Sequence, residues 1–232
     1  MMETEIRERI AGIRQNIADA ARSAGRRPED VRLVAATKTR TPEEIRCAVE
    51  SGADAVAENR AQELSQKWDL HAYDDMELHF IGHLQTNKVR QVVGRVDLIQ
   101  SVDSTGLLHA ISTRAASLQI VQNILVEVNV AEEAQKSGVT PDNLPLFLEL
   151  AATFPAIRVC GIMTVAPDCR IFGSNRKIFE KMYRLFVDNS EKNSDNISMN
   201  ILSMGMSLDY EDAVAEGANM VRIGTALFGP RG

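Results

Sequence analysis

Ile6, Ile10, Ile13 and Ile17 recur at alternating intervals of four and three residues, with polar and charged residues between them. That interval returns an apolar stripe to one face of an α-helix, so the chain is expected to open with an amphipathic helix. The stretch GRRPED from Gly25 supplies its stop. Beyond it the pattern changes to short apolar runs of strand length: VRLVAATK from Val31, DAVAEN from Asp54, ELHFIGH from Glu77 and VDLIQSVD from Val96. NILVEVN from Asn123, IRVCGIMT from Ile157, NILSMG from Asn200 and MVRIGT from Met220 continue the series. Helix-like segments lie between them.

Several helix ends are signalled chemically. Thr41-Pro42-Glu43-Glu44 offers an N-cap, a proline at the first helical position and acids in the first turn. Ile45, Ala48 and Val49 then share a face, and Gly52 follows as a C-cap. Thr140-Pro141-Asp142 repeats the start signal, and Asp209 to Glu216 followed by Gly217 repeats the ending. Eight strands alternating with helices predict a single (β/α)8 TIM barrel of the α/β class over residues 1–232, with an extra N-terminal helix. A doubly wound sheet uses the same alternation, but no GxGxxG follows the first strand and the length suits a barrel. The polar stretch VDNSEKNSDNISMN from Val187 is expected to be a loop before the seventh strand.

Composition narrows the function classes. Of 232 residues, 44% are hydrophobic and 25% charged, which places the chain among soluble globular proteins. A formal net charge of −6 argues against a general nucleic-acid binder. No apolar run has the length of a membrane span, and the charged N-terminus lacks a signal-peptide core. Cys47, Cys160 and Cys169 form no CxxC pair, so reduced thiols, a cytoplasmic location and neither a disulfide framework nor a zinc site are expected.

In a barrel the chemistry sits at the C-terminal ends of the strands. The first strand is expected to end on Lys38, which shares a face with Val34 and small Ala36. An amine there is either an ordinary solvated or salt-bridged lysine or a nucleophile toward an aldehyde or ketone. The loops after strands seven and eight read SMGMS and RIGTALFG. They offer Gly205 and Gly224 for close backbone approach, hydroxyls from Ser207 and Thr225, and a helix start near Asp209, a set that suits a phosphate. Lysine and phosphate cup together imply a ligand with both a carbonyl and a phosphate. Arg222 shares strand parity with Gly224 and is expected to face the same interior. His79 and His83 in HFIGH fall on one face of a strand without a companion carboxylate pattern, so hydrogen-bonded histidines are expected rather than metal ligands. Glu58, Asn59 and Asn129 are expected to line a polar mouth.

VAATKT, AENRAQE, HFIGHLQTNK, SVDS, VNVAEEAQKSG, GIMTVAP, LSMGMSLD and VRIGTALFG, in this order from about Val31 to the C-terminus, resemble the pyridoxal phosphate homeostasis proteins, single-domain relatives of the alanine racemase N-terminal barrel. The stretch before Glu58 departs from the family by reading AVA. The resemblance implies pyridoxal 5′-phosphate held as a Schiff base on Lys38. It implies Ser207, Gly224 and Thr225 at the phosphate, Arg222 at the pyridine nitrogen and Asn59 near the cofactor. It implies a role in vitamin B6 and amino-acid homeostasis without established catalysis. An arginine cannot hand the ring nitrogen a proton, which weakens the ring as an electron sink. The alternative is a racemase-like enzyme, which needs two positioned acid/base groups, and beside Lys38 the sequence offers no convincing second one. A cofactor-free aldolase ranks below both. A monomer is expected, without nucleic acid or membrane, in transient contact with apo-enzymes that take up the cofactor.

Overall fold

The isoleucine stripe forms the first element of the computed structural model, which describes residues 2–133, 135–190 and 195–230. Helix α1 (Met2–Ser23) buries Ile6, Ile10, Ile13 and Ile17. The eight apolar runs become β1 (Arg32–Ala36), β2 (Ala55–Glu58), β3 (Leu78–Phe80), β4 (Leu98–Val102), β5 (Gln122–Glu127), β6 (Ile157–Met163), β7 (Ile197–Ser203) and β8 (Met220–Ile223). They pair in parallel in chain order, and β8 closes on β1. Strands buried on both faces need no polar alternation, which is why they read as continuous apolar runs.

The connecting helices are α2 (Pro42–Glu50), α3 (Ala61–Asp69), α4 (Val89–Val92), α5 (Thr105–Ser117) and α6 (Leu144–Ala151). After them come α7 (Cys169–Phe172), α8 (Arg176–Ser190), α9 (Tyr210–Ala215) and α10 (Thr225–Phe228). α1 packs outside this ring against α2, α9 and α10. The Thr41 signal makes a complete capping box: its hydroxyl accepts from Glu44 N–H, and the Glu44 carboxylate accepts from Thr41 N–H.

Two expectations are corrected. Thr140-Pro141-Asp142 starts a short 3-10 turn, Pro141–Asn143, and the α-helix follows at Leu144. The polar stretch from Val187 is mostly not a loop. α8 runs on through Ser190 because Asn189 Nδ2 and Ser190 Oγ bond the carbonyls of Leu185 and Val187 in the preceding turn. At the other side β7 begins at Ile197, paired with Val159, while residues 191–194 of the stretch lie outside the described residues.

Apolar packing forms two layers. Leu33, Ile45, Val56, Leu64 and their neighbours fill the space between strands and helices. Inside the barrel, Val34, Ala55, Ala57, Leu98, Leu125, Met163 and Met220 pack together. These inner residues set the parity of the strands that carry them and so decide which of their end residues face the mouth. Among the described residues, no helix is long and apolar enough to cross a membrane.

Candidate functional site

β1 ends at Ala36 rather than at Lys38, and Lys38 stands half-buried in the turn beyond it. Its amine makes no hydrogen bond or ion pair with any described residue. The residues on either side are tightly held. Lys67 Nζ donates to Thr37 O at 2.8 Å, to Glu58 Oε1 at 2.7 Å and to Glu63 Oε1 at 2.8 Å. Thr37 Oγ1 donates to Glu58 Oε1 at 2.7 Å, and Thr39 N–H donates to the Glu63 carboxylate. Thr39 itself sits at φ 63°, a left-handed conformation that a β-branched residue keeps only when its surroundings impose it.

Glu58 therefore does not line the mouth. Its neighbour Ala57 points into the barrel, so alternation sends Glu58 outward, where it is fully buried beneath α3. Its Oε1 also accepts from Tyr73 Oη at 3.0 Å, while Oε2 has no partner among the described residues. Burial pushes the Glu58 carboxyl up, against the pull of Lys67. Burial, and then the charge of Glu58, push the Tyr73 phenol up as well. Asn129 is spent locally. Its side chain bonds the Glu133 backbone at N and O, so it shapes its own loop.

Asn59, one residue past β2, is half-buried, and its Oδ1 is buried without a partner among the described residues. The backbone beside it is crowded: a Cβ on Gly82 would fall 2.0 Å from Asn59 O, so only glycine allows the exits of β2 and β3 to touch. Across the mouth, Ser207 Oγ accepts from Ala226 N–H at 3.2 Å and draws the exits of β7 and β8 together. Gly224 packs on the end of β1, where a Cβ would come within 3.4 Å of Ala36, and exposed Thr225 follows it at the start of α10. Gly205 has a packing reason as well. At φ 92° it lets β7 turn against α9, where a Cβ would fall 2.6 Å from that of Ala213.

Arg222 points inward as its parity requires and is 4% exposed. Nη1 donates to Ser203 Oγ at 2.6 Å and Nη2 to Thr164 O at 2.8 Å, leaving further N–H groups free to donate. Burial draws its pKa down to about 10, countered first by Glu127. That glutamate is a further polar residue at the mouth. It follows Leu125 on the inner face of β5, so the period of two already aimed it at the mouth. Burial pushes its carboxyl up, Asp103 adds to this, and Arg222 and His83 oppose it.

His79 is buried in the barrel interior, and His83 lies exposed at the rim, 3.9 Å from Asp103. No group of His, Cys, Asp and Glu among the described residues could hold a metal ion. A cleft of about 530 Å³ lined by Trp68, Arg95, Asp97 and Asn123 opens at the start of the strands, the end of a barrel that ordinarily carries no chemistry.

The family model of the alanine racemase N-terminal domain matches residues 9–232. The pyridoxal phosphate homeostasis protein of Aquifex aeolicus is 41% identical over 97% of both chains. The chain belongs to that family. Its counterpart in Pseudomonas aeruginosa is 35% identical, covering 97% of this chain and 96% of that one. Among solved structures, PipY of Synechococcus elongatus with PLP bound superposes at a TM-score of 0.79. It is 29% identical and covers 97% of this chain and all of its own. Alanine racemase of Streptomyces lavendulae shares the fold, with a TM-score of 0.74 at 12% identity, and this chain covers 58% of it.

The residues present suit the cofactor of those relatives. An amine and an Asn59 Oδ1 without partners among the described residues, hydroxyls on Ser207 and Thr225 beside Gly224, and a buried cation at Arg222 stand at one mouth.

Proposed function

We propose that the protein binds pyridoxal 5′-phosphate as a Schiff base on Lys38 and serves intracellular vitamin B6 and amino-acid homeostasis by holding and releasing it. The observation that carries this reading is the Lys38 amine, which no group among the described residues claims although both flanking backbone positions are fixed. When bound, the cofactor supplies an aldehyde to the amine and an electron-withdrawing ring. Ser207, Gly224 and Thr225 would hold its phosphate, Asn59 would neighbour it, and Arg222 would offer an N–H to the ring nitrogen. Because Arg222 presents a cation rather than a proton source, the site favours retention over turnover. Residues 1–232 act as one cofactor-binding unit, a cytoplasmic monomer whose mouth is open to cofactor-accepting apo-enzymes.

The test is an absorption spectrum followed by borohydride reduction and peptide mass mapping. Purified protein is expected to be yellow and to carry the reduced cofactor on Lys38, and Lys38→Ala is expected to be colourless. The same adduct on Lys38→Ala would sink the assignment.

Glu127 supports a second reading, a racemase-like enzyme, because its raised carboxyl at the mouth is a candidate second acid/base group. That reading requires α-hydrogen exchange of amino acids in deuterated water that is lost in both Lys38→Ala and Glu127→Gln.

A further inference from the structure

A polar chain crosses the barrel interior from floor to mouth. At the floor, Arg32 and Glu77 pair at two points, Nη1 to Oε1 at 3.0 Å and Nη2 to Oε2 at 2.6 Å. Glu77 Oε1 also lies 2.7 Å from His79 Nε2. His79 Nδ1 is 2.9 Å from Gln100 Nε2. Gln100 Oε1 lies 2.7 Å from Ser203 Oγ, which in turn is 2.6 Å from Arg222 Nη1. His79, Gln100, Ser203 and Arg222 are all buried and come from β3, β4, β7 and β8.

The chemistry of the groups gives each bond one direction. A guanidinium only donates. Ser203 Oγ therefore accepts from Arg222 and spends its single hydrogen on Gln100, which must present its carbonyl there. That turns the Gln100 amide N–H toward His79 Nδ1, which must accept. The imidazole hydrogen then stands on Nε2 and is donated to Glu77. From Arg222 to Glu77 every link reads from mouth to floor, where Arg32 also donates to Glu77.

Barrel interiors are ordinarily filled by branched apolar side chains in layers. Polar groups in their place lower stability unless each one is bonded, and apolar side chains of the same volume fill such space at least as well. Stability alone does not explain the chain. What it achieves is to lock the rotation of one planar cation, with Nη1 held by Ser203 and Nη2 by Thr164 O.

We infer that His79 and Gln100 are positioning residues for the cation at the mouth. They orient Ser203 and, through it, Arg222, and so set how the guanidinium meets the ring of bound pyridoxal phosphate. This rests on the binding reading above.

Pyridoxal phosphate itself is the probe. The visible absorption maximum and the rate of cofactor loss on dilution are compared for wild type, Arg222→Gln, Gln100→Leu, Ser203→Ala and the Gln100→Leu/Arg222→Gln pair. Gln100→Leu and Ser203→Ala are each expected to speed loss roughly 10-fold, the effect of one charge-linked hydrogen bond. Both should move the band in the same direction as Arg222→Gln. In the Arg222→Gln background, Gln100→Leu should add less than about twofold, because the two residues act as one unit. His79→Gln, which can still accept from Gln100, should lie nearer wild type than His79→Leu. If Gln100→Leu does not fold, Ser203→Ala, which removes a single hydroxyl, carries the test. Wild-type band and loss rate in a folded Ser203→Ala or Gln100→Leu, or full multiplication in the double variant, would overturn the inference. If the wild type takes up no cofactor, the binding reading falls with it. If Arg222→Gln alters the bound cofactor and the other variants do not, only the positioning role falls.

Discussion

Two buried polar networks approach the barrel mouth, one from outside the strands and one from inside, and they are built differently. Outside β2, one oxygen of Glu58 gathers Thr37, Lys67 and Tyr73 while the other has no partner among the described residues. Inside the barrel, the links from Arg222 to Glu77 are single hydrogen bonds in series. The outer network is ionic and grips main chain at Thr37 and Thr39. The inner one grips a side chain. The difference follows from the two groups served. A lysine amine on a flexible stem needs only its root fixed, whereas a planar guanidinium needs its rotation fixed.

The largest test of this contrast is Lys67→Met. It leaves the Glu58 carboxylate buried without its cation, and the expected loss is about 3–5 kcal/mol in urea unfolding. Adding Glu58→Gln should return most of that loss. A cost under about 1 kcal/mol for Lys67→Met would make the pair no more than a surface-type interaction. A smaller effect is expected of Tyr73→Phe, which removes one donor from Glu58 Oε1 and should lower stability by about 1.5 kcal/mol. Its signature should be backbone: faster amide exchange at Thr39, with the cofactor band unmoved. A shifted band and unchanged exchange would mean that the outer network acts on the ligand and not on the main chain.

The smallest effect is at the floor of the inner chain. The hydrogen bond from His79, then that from Arg32, hold the Glu77 carboxyl down to about 2. A depressed carboxylate contributes stability that is complete above its unfolded value, about 4.3, and is lost as pH falls through the folded one. Glu77→Gln should therefore be less stable than wild type at pH 7 but decline less steeply between about pH 4.3 and 2. The gap should be modest because the pair is partly solvated. Parallel acid unfolding curves would show that the floor pair contributes nothing to the chain.

Much of this was legible in the residues. Isoleucine spacing found α1, apolar runs found the eight strands, and Thr41 found the start of α2. Period-two alternation correctly aimed Arg222 inward and would have done the same for Glu127. The same alternation requires Glu58 and Asn59 to point apart, but the polar character of both concealed which was inside. The end of α8 is not legible in the sequence because Asn189 and Ser190, poor helix residues in general, bond backward into their own helix.

The sequence by itself determined the element order, the barrel, and the residues at the strand ends, because helix and strand periods are set between near neighbours along the chain. The inner polar chain was decided only by tertiary structure. Arg32, His79, Gln100, Ser203 and Arg222 lie on five strands, and no local period relates them. They meet because β8 closes on β1, and their bonds form because the closed interior excludes the water that would otherwise satisfy each group separately.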